Sequence, residues 1–364
     1  MRWPLVLATA LLCACTTTPT PEPTPEPEPT SEPTDASTPR TEPPSRPITI
    51  AVAGDVHFEG ALRSRLADPA TALAPVTGTL AAADLAIVNL ETSIGTGGRP
   101  DPTKRFTFQA PPAAFRALAD AGIDVATMAN NHALDFGREP LAGMFAAIDR
   151  AAPSLTVVGV GRDADEAFTP ALTDVRGTVV ATLGATQASL DPTADPTDQW
   201  AATATSPGTA DAVDPRRLLQ AVADADASAD VVVVYVHWGV QGEGCPTTGQ
   251  QDLAARLVDA GADVVVGSHA HRLQGDGRLG PGYVAYGLGN YAWYIQDGAT
   301  ATTGLLTLTV RAAARPEGRA RVVHHAWEPA RIGSDGLPRV VAGPAAARFE
   351  ADLISLRRCA GLAP

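Results

Sequence analysis

Five short apolar runs of the chain end in histidine, asparagine or carboxylate side chains. The runs are 48–53 (ITIAVA), 84–88, 123–128, 231–236 and 263–266, and each has the length and composition of a buried strand. Segments with helical patterning separate several of them, which indicates parallel strands in an α/β fold. Ligands of such sheets collect beyond the carboxyl ends of the strands, so the side chains that follow the runs are expected to share one site.

The C-terminal part of the chain predicts a different kind of pairing. Runs 305–311 and 321–326 are expected to form antiparallel strands, so the sheets would be mixed. A helix over 345–358 is expected to close the chain.

The polar residues at the five run ends are of types that bind divalent metals. They are Asp55 and His57; Asn89 and Glu91; Asn131, His132 and Asp135; His237; and His269 with His271. Histidine, carboxylate and amide groups suit ions such as Mn, Fe or Zn. Any one of these residues alone is more simply a hydrogen-bonded loop residue or a turn cap. Their recurrence at five strand ends favours a metal centre.

The same residues form motifs that resemble the CapA family of capsule-synthesis proteins. The motifs are Gly54-Asp55-x-His57, Asn89-Leu90-Glu91, Asn130-Asn131-His132, His237-Trp238-Gly239, Gly267-Ser268-His269-Ala270-His271 and Leu288-Gly289-Asn290-Tyr291. That family is similar to calcineurin-like metallophosphoesterases. The resemblance therefore implies a four-layer α/β/β/α sandwich with mixed sheets and a role in capsule or poly-γ-glutamate assembly or export.

The resemblance also implies a set of ligands for two divalent ions. These are Asp55, His57 and His271 for the first ion, Asn131, His237 and His269 for the second, and Asp55 with Glu91 between the two. The Gly-Asp-x-x-Asp motif of phosphoesterases is absent, and Asn89-Leu90-Glu91 stands in its place. The number of metals and the phosphate chemistry stay open for that reason.

Other residues are assigned roles around the metals. The resemblance implies that His132 stabilises the reacting group or protonates the leaving oxygen, with Asp135 orienting its ring. Three residues are predicted to contact substrate: Asn89, Arg105 and Asn290. Arg105 belongs to a small basic cluster that could hold an anionic polymer, although a solvated loop explains it equally well.

The N-terminus predicts export and lipid attachment. Arg2 precedes a short apolar run that ends in Leu12-Cys13-Ala14-Cys15, and this resembles a bacterial lipoprotein signal over residues 1–15 with Cys15 as the lipidated residue. An ordinary signal peptide is the alternative. Residues 16–47 are a Pro/Thr/Glu tract expected to act as a disordered tether, and residues 48–364 form the CapA-like domain. The predicted location is the outer face of the cell membrane.

Two cysteines remain for the folded part. In an oxidising compartment Cys245 and Cys359 are expected to form a disulfide that pins the C-terminal helix to the loop after His237. Two buried thiols are the alternative.

Composition bounds the partners. The formal net charge of −13 leaves no basic surplus to displace counterions, which argues against a nucleic-acid partner. The expected partners are an anionic extracellular polymer or a small phosphoester, together with a membrane synthase or export complex. Two functions follow: an accessory role in capsule or poly-γ-glutamate synthesis, or a metal-dependent phosphoesterase or other hydrolase acting on an anionic substrate. A metal-stabilised cell-wall interaction module is a third, and whether the site turns over is left open.

Overall fold

The computed structural model describes residues 46–151, 154–197, 200–294, 297–313 and 318–363, with only the backbone at residues 75 and 77. The strands, in chain order, are β1 (Ile48–Val56), β2 (Leu85–Leu90), β3 (Ser93–Ile94), β4 (Gln109–Ala110), β5 (Val125–Thr127), β6 (Thr156–Val158), β7 (Val160–Gly161), β8 (Ala171–Val175), β9 (Thr178–Thr186), β10 (Gly208–Thr209), β11 (Val231–Trp238), β12 (Val264–His269), β13 (Asp276–Leu279), β14 (Gly282–Ala285), β15 (Asn290–Ala292), β16 (Thr302–Arg311), β17 (Arg321–Ile332) and β18 (Pro338–Val340). The α-helices are α1 (Ala74–Leu80), α2 (Ala113–Asp120), α3 (Leu141–Ala151), α4 (Ala164–Ala167), α5 (Arg216–Asp226), α6 (Thr248–Ala260) and α7 (Pro344–Ala360).

Two mixed sheets carry most of these strands. The first has the order β18-β17-β16-β1-β2-β5-β6, and β15 pairs with the end of β1. The second has the order β13-β14-β12-β11-β9-β8. In each sheet the central strands are parallel, whereas β16–β17 and β13–β14 are antiparallel. The predicted mixed pairing and the antiparallel C-terminal strands are confirmed.

The two sheets pack face to face and each is covered by helices. One buried cluster joins Ile50 and Leu308 of the first sheet to Val233 of the second. A second cluster packs α1, α2 and α3 on the outer face of the first sheet, and a third packs α5 and α6 on the outer face of the second. The result is the four-layer α/β/β/α sandwich. Central strands such as β11 are buried along their whole length, which explains their continuous apolar runs.

The polar side chains that follow the apolar runs lie at the ends of the strands or just beyond them. β1 continues through Asp55, β11 through His237 and β12 through His269. Parallel pairing places Asp55 opposite Asn89, and Trp238 opposite His269. The carboxyl ends of both sheets therefore deliver these side chains to the same end of the sandwich.

A disulfide joins the loop after β11 to the C-terminal helix α7. Cys245 and Cys359 are bonded, with their Cα atoms 5.8 Å apart. The bond ties α7 to the loop that follows β11, as the sequence analysis expected. Buried Leu353 also holds α7 in place, in a cluster with Phe349 and Leu273.

The predictions for the N-terminus concern residues outside the described ranges. These are the signal segment with Cys15 and nearly all of the tether. No helix in the described ranges has both the length and the apolar content that crossing a bilayer requires.

Candidate metal centre

Asp55, Glu91 and His271 form the first of two ligand groups. Their ligand atoms all lie within 4.8 Å of one another. His271 Nδ1 is 3.3 Å from Asp55 Oδ2, and His271 Nε2 is 3.9 Å from Glu91 Oε1. The carboxylates come from the ends of β1 and β2, and the histidine follows β12.

Glu91 also belongs to the second group, with His237 and His269. His237 Nε2 lies 3.5 Å from Glu91 Oε1 and 3.1 Å from His269 Nδ1. Asn131 completes this group, because its Oδ1 lies 2.6 Å from His237 Nε2 and 3.2 Å from His269 Nδ1. Glu91 is thus the side chain that the two groups share.

The carboxylates of these groups fit a bound cation. Asp55 Oδ2 and both carboxylate oxygens of Glu91 are buried and have no hydrogen-bond partner. Buried charged oxygens without partners are costly, so such groups are normally paired or bound to metal. Two carboxylates, three histidines and an amide oxygen are a donor set for borderline divalent ions.

The electrostatics of the centre reflect this crowding of acids. Burial, together with the charge of Asp55, raises the pKa of Glu91 well above its ordinary value. Burial alone would lower the pKa of His271, but the carboxylates of Glu91 and Asp55 raise it to about 9. The centre therefore attracts positive charge.

Two of the candidate ligands have an unusual backbone conformation. His269 and His271 have φ of 96° and 53°, a left-handed region that side-chain-bearing residues seldom adopt. Such strain costs on the order of 1–3 kcal/mol for each residue and clusters at functional sites. Here it lets two side chains separated by one residue enter the two groups.

A layer of hydrogen bonds orients the ligands from behind. Asp191 Oδ2 lies 3.0 Å from His269 Nε2, and Ser268 Oγ lies 3.0 Å from His237 Nδ1. Neither Asp191 nor Ser268 was singled out from the sequence. Ser268 lies inside a recognised motif between ligands, whereas Asp191 is one of several acids in a Pro/Asp/Thr-rich loop and carries no signal of its own.

His132 and Asp135 lie together beside the ligand groups. His132 Nδ1 is 2.6 Å from Asp135 Oδ2, and its Nε2 is 3.8 Å from Glu91 Oε1. Asp135 also accepts a hydrogen bond from the backbone N–H of Phe108 and contacts the ammonium of Lys104. Burial raises the pKa of Asp135 to about 7, against the opposing effect of Lys104.

His57, a predicted metal ligand, lies at the edge of the centre, and its role as a ligand stays a prediction. It is not part of either group, and each of its ring nitrogens faces a backbone amide: Nδ1 is 3.0 Å from the nitrogen of Glu59 and Nε2 is 3.1 Å from that of Tyr294. The ring packs against Phe108 and Trp293, with centroid distances of 5.0 and 4.0 Å. His57 thus belongs to an aromatic wall beside the centre.

Asn89 and Asn290, which are predicted to contact substrate, lie against the first ligand group. Both residues are fully buried. Asn89 Nδ2 donates to Asp55 Oδ1 at 2.8 Å, and Asn290 Oδ1 lies 2.8 Å from His271 Nδ1. Each amide thus contacts a residue of the first ligand group, and a contact with substrate stays a prediction.

Arg105 is the exposed member of the predicted substrate set. Its guanidinium pairs with Asp195, Nε to Oδ1 at 2.7 Å, and donates to the backbone oxygen of Thr193 at 2.6 Å. The arginine joins the loop around residue 105 to the loop that carries Asp191. Its charge is already paired with Asp195.

The chain matches a known protein family. The family model described as bacterial capsule synthesis protein matches residues 49–294. The capsule biosynthesis protein CapA of Bacillus anthracis is 30% identical over 236 residues, 60% of this chain and 54% of that protein. The PGA biosynthesis protein CapA of Bacillus subtilis is 30% identical over 226 residues, 61% of this chain and 56% of that protein. The chain thus matches just over half the length of these relatives.

The chain also resembles solved structures at low sequence identity. A phosphatase of Mycoplasma pneumoniae is 13% identical with a TM-score of 0.46, covering 85% of this chain and 99% of that one. A putative 5′-nucleotidase of Staphylococcus aureus is 17% identical with a TM-score of 0.45, covering 85% of this chain and 58% of that one. The family model spans most of the folded part of the chain, which therefore belongs to the bacterial capsule synthesis protein family.

Proposed function

We propose that this chain is a divalent-metal protein that serves the synthesis or export of an anionic surface polymer, of the capsule or poly-γ-glutamate kind. The family and the names of the relatives support the polymer role. The observation that carries the metal role is the set of three buried carboxylate oxygens of Asp55 and Glu91 that lack a hydrogen-bond partner and lie among three histidines.

The two ligand groups would hold two ions. Asp55, Glu91 and His271 would bind one, and Glu91, His237 and His269 with Asn131 the other. Mn, Fe or Zn suits this donor set. Divalent ions in such a site neutralise negative charge on substrate oxygens and activate water for hydrolysis.

A second candidate function, hydrolysis of a phosphoester or a related bond in an anionic substrate, is favoured by the His132–Asp135 pair. Asp135 accepts from Nδ1 of His132 and fixes the ring, which leaves Nε2 directed toward the ligand groups. Nε2 is then the atom that passes a proton to the leaving oxygen, and Asp135 stabilises the charged ring. Phe108 stacks on His132 with centroids 4.1 Å apart and limits water on that side.

The location is part of the proposal. Lipid attachment at Cys15 and a Pro-rich tether would hold the centre at the outer face of the membrane, beside a synthase or export complex. Incorporation of radiolabelled palmitate by cells that express the chain, lost in Cys15→Ser, tests the anchor. Labelling that persists in Cys15→Ser would contradict it.

Metal content tests the centre. The purified chain, the variant His269→Ala and the control His324→Ala, which changes a histidine on β17 outside both groups, are measured by elemental analysis after incubation with Mn or Zn. We expect one or two ions per chain in the wild type and the control and fewer in His269→Ala. A folded wild type without bound metal would overturn the proposal.

Activity separates the two candidate functions. Hydrolysis of bis(p-nitrophenyl) phosphate or cleavage of poly-γ-glutamate that needs both metal and His132 supports the hydrolase. Metal-loaded protein that binds poly-γ-glutamate without cleaving either substrate supports an accessory role without turnover.

A further inference from the structure

Lys104 is the single lysine of the chain, and its side chain is fully buried beside the metal centre. Its ammonium contacts Asp135 Oδ1 and the backbone oxygen of Asn131, and it lies 3.4 Å from His132 Nδ1 and 4.5 Å from the ring centroid of Trp200. A buried ammonium is costly unless it is paired, so its partners indicate its purpose. Three of them, Asp135, Asn131 and His132, belong to the site described above.

The loop that carries Lys104 encloses Asp135 from several sides. The backbone N–H of Asp101 donates to the backbone oxygen of Asp135 at 2.8 Å, and that of Phe108 donates to Asp135 Oδ2 at 2.6 Å. Lys104 contacts the other carboxylate oxygen, Oδ1. Both oxygens of the carboxylate that orients His132 are thus held by fixed donors.

The second contact of Lys104 reaches a metal-ligand candidate. It contacts the backbone oxygen of Asn131, whose side-chain Oδ1 faces His237 and His269. One ammonium therefore touches both the residue that orients the His132 ring and the residue that offers an amide oxygen to the second ligand group.

We propose that Lys104 is a positioning residue that fixes the His132 ring, through Asp135, and the Asn131 ligand in one arrangement. The inference rests on the proposed function of the centre. Replacing the lysine by methionine keeps much of its length but leaves Asp135 Oδ1 and the Asn131 carbonyl without this donor.

Kinetics test the connection through Asp135. Lys104→Met, Asp135→Asn and the double variant are compared in saturating metal, with Arg116→Met as a control that removes an exposed cation of α2. We expect Lys104→Met to lower kcat for hydrolysis of bis(p-nitrophenyl) phosphate by about tenfold or more. This loss is part of the rate enhancement that a general acid or base provides. The double variant should be no slower than Asp135→Asn alone, because both changes act on one ring. Losses that multiply would overturn the connection.

Metal affinity tests the connection through Asn131. Lys104→Met should raise the Kd for Mn several-fold, whereas Asp135→Asn should leave it close to the wild-type value because Lys104 still holds the Asn131 carbonyl. An unchanged Kd in Lys104→Met would overturn this part. If Lys104→Met does not fold, Lys104→Arg keeps the charge with displaced donors, and we expect the same two changes in smaller size; wild-type kcat and Kd in that variant would count against the proposal.

A spectroscopic readout separates this inference from the proposed function. The Nδ1 proton of His132, in its 2.6 Å contact with Asp135, should give a downfield resonance that disappears in Asp135→Asn. It should shift in Lys104→Met and stay in place in Arg116→Met. If the wild type neither binds metal nor turns over but the shift occurs, the proposed function fails and the positioning role stands. If the wild type is active but the resonance does not move and the losses multiply, the positioning role is wrong.

Discussion

Asp191 Oδ2 lies 3.0 Å from Nε2 of His269, on the side of the ring opposite the metal centre. Three other hydrogen bonds hold this carboxylate: the backbone N–H and hydroxyl of Thr193 donate to Oδ1, and the backbone N–H of Gln241 donates to Oδ2. A carboxylate fixed in this way selects the tautomer whose Nδ1 lone pair faces the other ligands. It also raises the basicity of that nitrogen.

Replacing Asp191 is therefore expected to weaken metal binding without removing a ligand. Asp191→Asn should raise the Kd for Mn or Zn by about 10–100-fold, the usual cost of losing a partner behind a ligating histidine. Isothermal titration of metal into the metal-free protein measures the change.

The same loop offers a matched control. Asp195 pairs with exposed Arg105 and contacts no ligand in the described part of the chain, so Asp195→Asn should change the Kd by no more than about twofold. Equal losses in Asp191→Asn and Asp195→Asn would indicate a loosened loop instead of an oriented histidine.

The substitution Glu91→Gln should change the free energy of unfolding in opposite directions without and with metal. In the metal-free protein both of its oxygens are buried without a hydrogen-bond partner, and burial disfavours the charged carboxylate, so Glu91→Gln should stabilise the apo form by about 1–3 kcal/mol. The variant should at the same time lose the stabilisation that metal gives the wild type, which follows RT ln(1 + [L]/Kd). Denaturant unfolding with EDTA and with excess Mn measures both terms.

The stability of Glu91→Gln in EDTA distinguishes a carboxylate kept for metal from simple disruption of the core. A Glu91→Gln variant that is less stable than the wild type in EDTA would contradict the idea that the carboxylate is held unpaired for a metal. His324→Ala serves as the reference, because its metal-dependent gain should equal that of the wild type.

Most parts of this centre that the sequence predicted share a physical cause. Asp55, His237 and His269 end continuous apolar runs, and parallel pairing brings the ends of such runs together whatever the details of packing. The ligand types could be read directly at those positions. The contact between His132 and Asp135 could be predicted for a different reason. Residues three positions apart in one turn are close without help from the rest of the fold.

The parts that could not be predicted depend on distant packing. The position of the His57 ring is one example: the backbone nitrogens of Glu59 and Tyr294 and the ring of Trp293 surround it, and the last two come from a segment more than two hundred residues away. β15 has three residues and pairs with β1 only because Gly54 lets Gly289 approach; a Cβ at residue 54 would lie 1.8 Å from the Gly289 oxygen. No periodicity marks so short a strand.

The Cys245–Cys359 disulfide closes a loop of 114 residues, so its loss is expected to destabilise the fold substantially. Cys245→Ser with Cys359→Ser should lower the free energy of unfolding by about 2–4 kcal/mol, chiefly because the unfolded chain gains freedom. Urea unfolding of the double variant and of the wild type, both in excess metal, measures the difference. The metal content of the folded variant should not change, because neither cysteine contacts a ligand group; loss of metal would show that α7 supports the centre.

Asp263, remote from the metal ligands, predicts a pH dependence of stability. Burial raises the pKa of its carboxyl to about 6, against the hydrogen bond from the Val232 amide and the charge of Arg319. Between about pH 4 and 6 the folded state keeps a proton that the unfolded state releases, so this contribution to stability is present below pH 4 and is lost as the pH rises through 6. Because Asp263→Asn cannot titrate, the wild-type free energy of unfolding minus that of the variant should fall by up to about 3 kcal/mol across this window.

Urea unfolding at pH 4, 5, 6 and 7.5 measures the difference, with Asp252→Asn on the exposed face of α6 as the control for loss of an acid. A difference for Asp263→Asn that stays constant with pH, or rises, would show that Arg319 and the Val232 amide keep the carboxylate charged in spite of its burial.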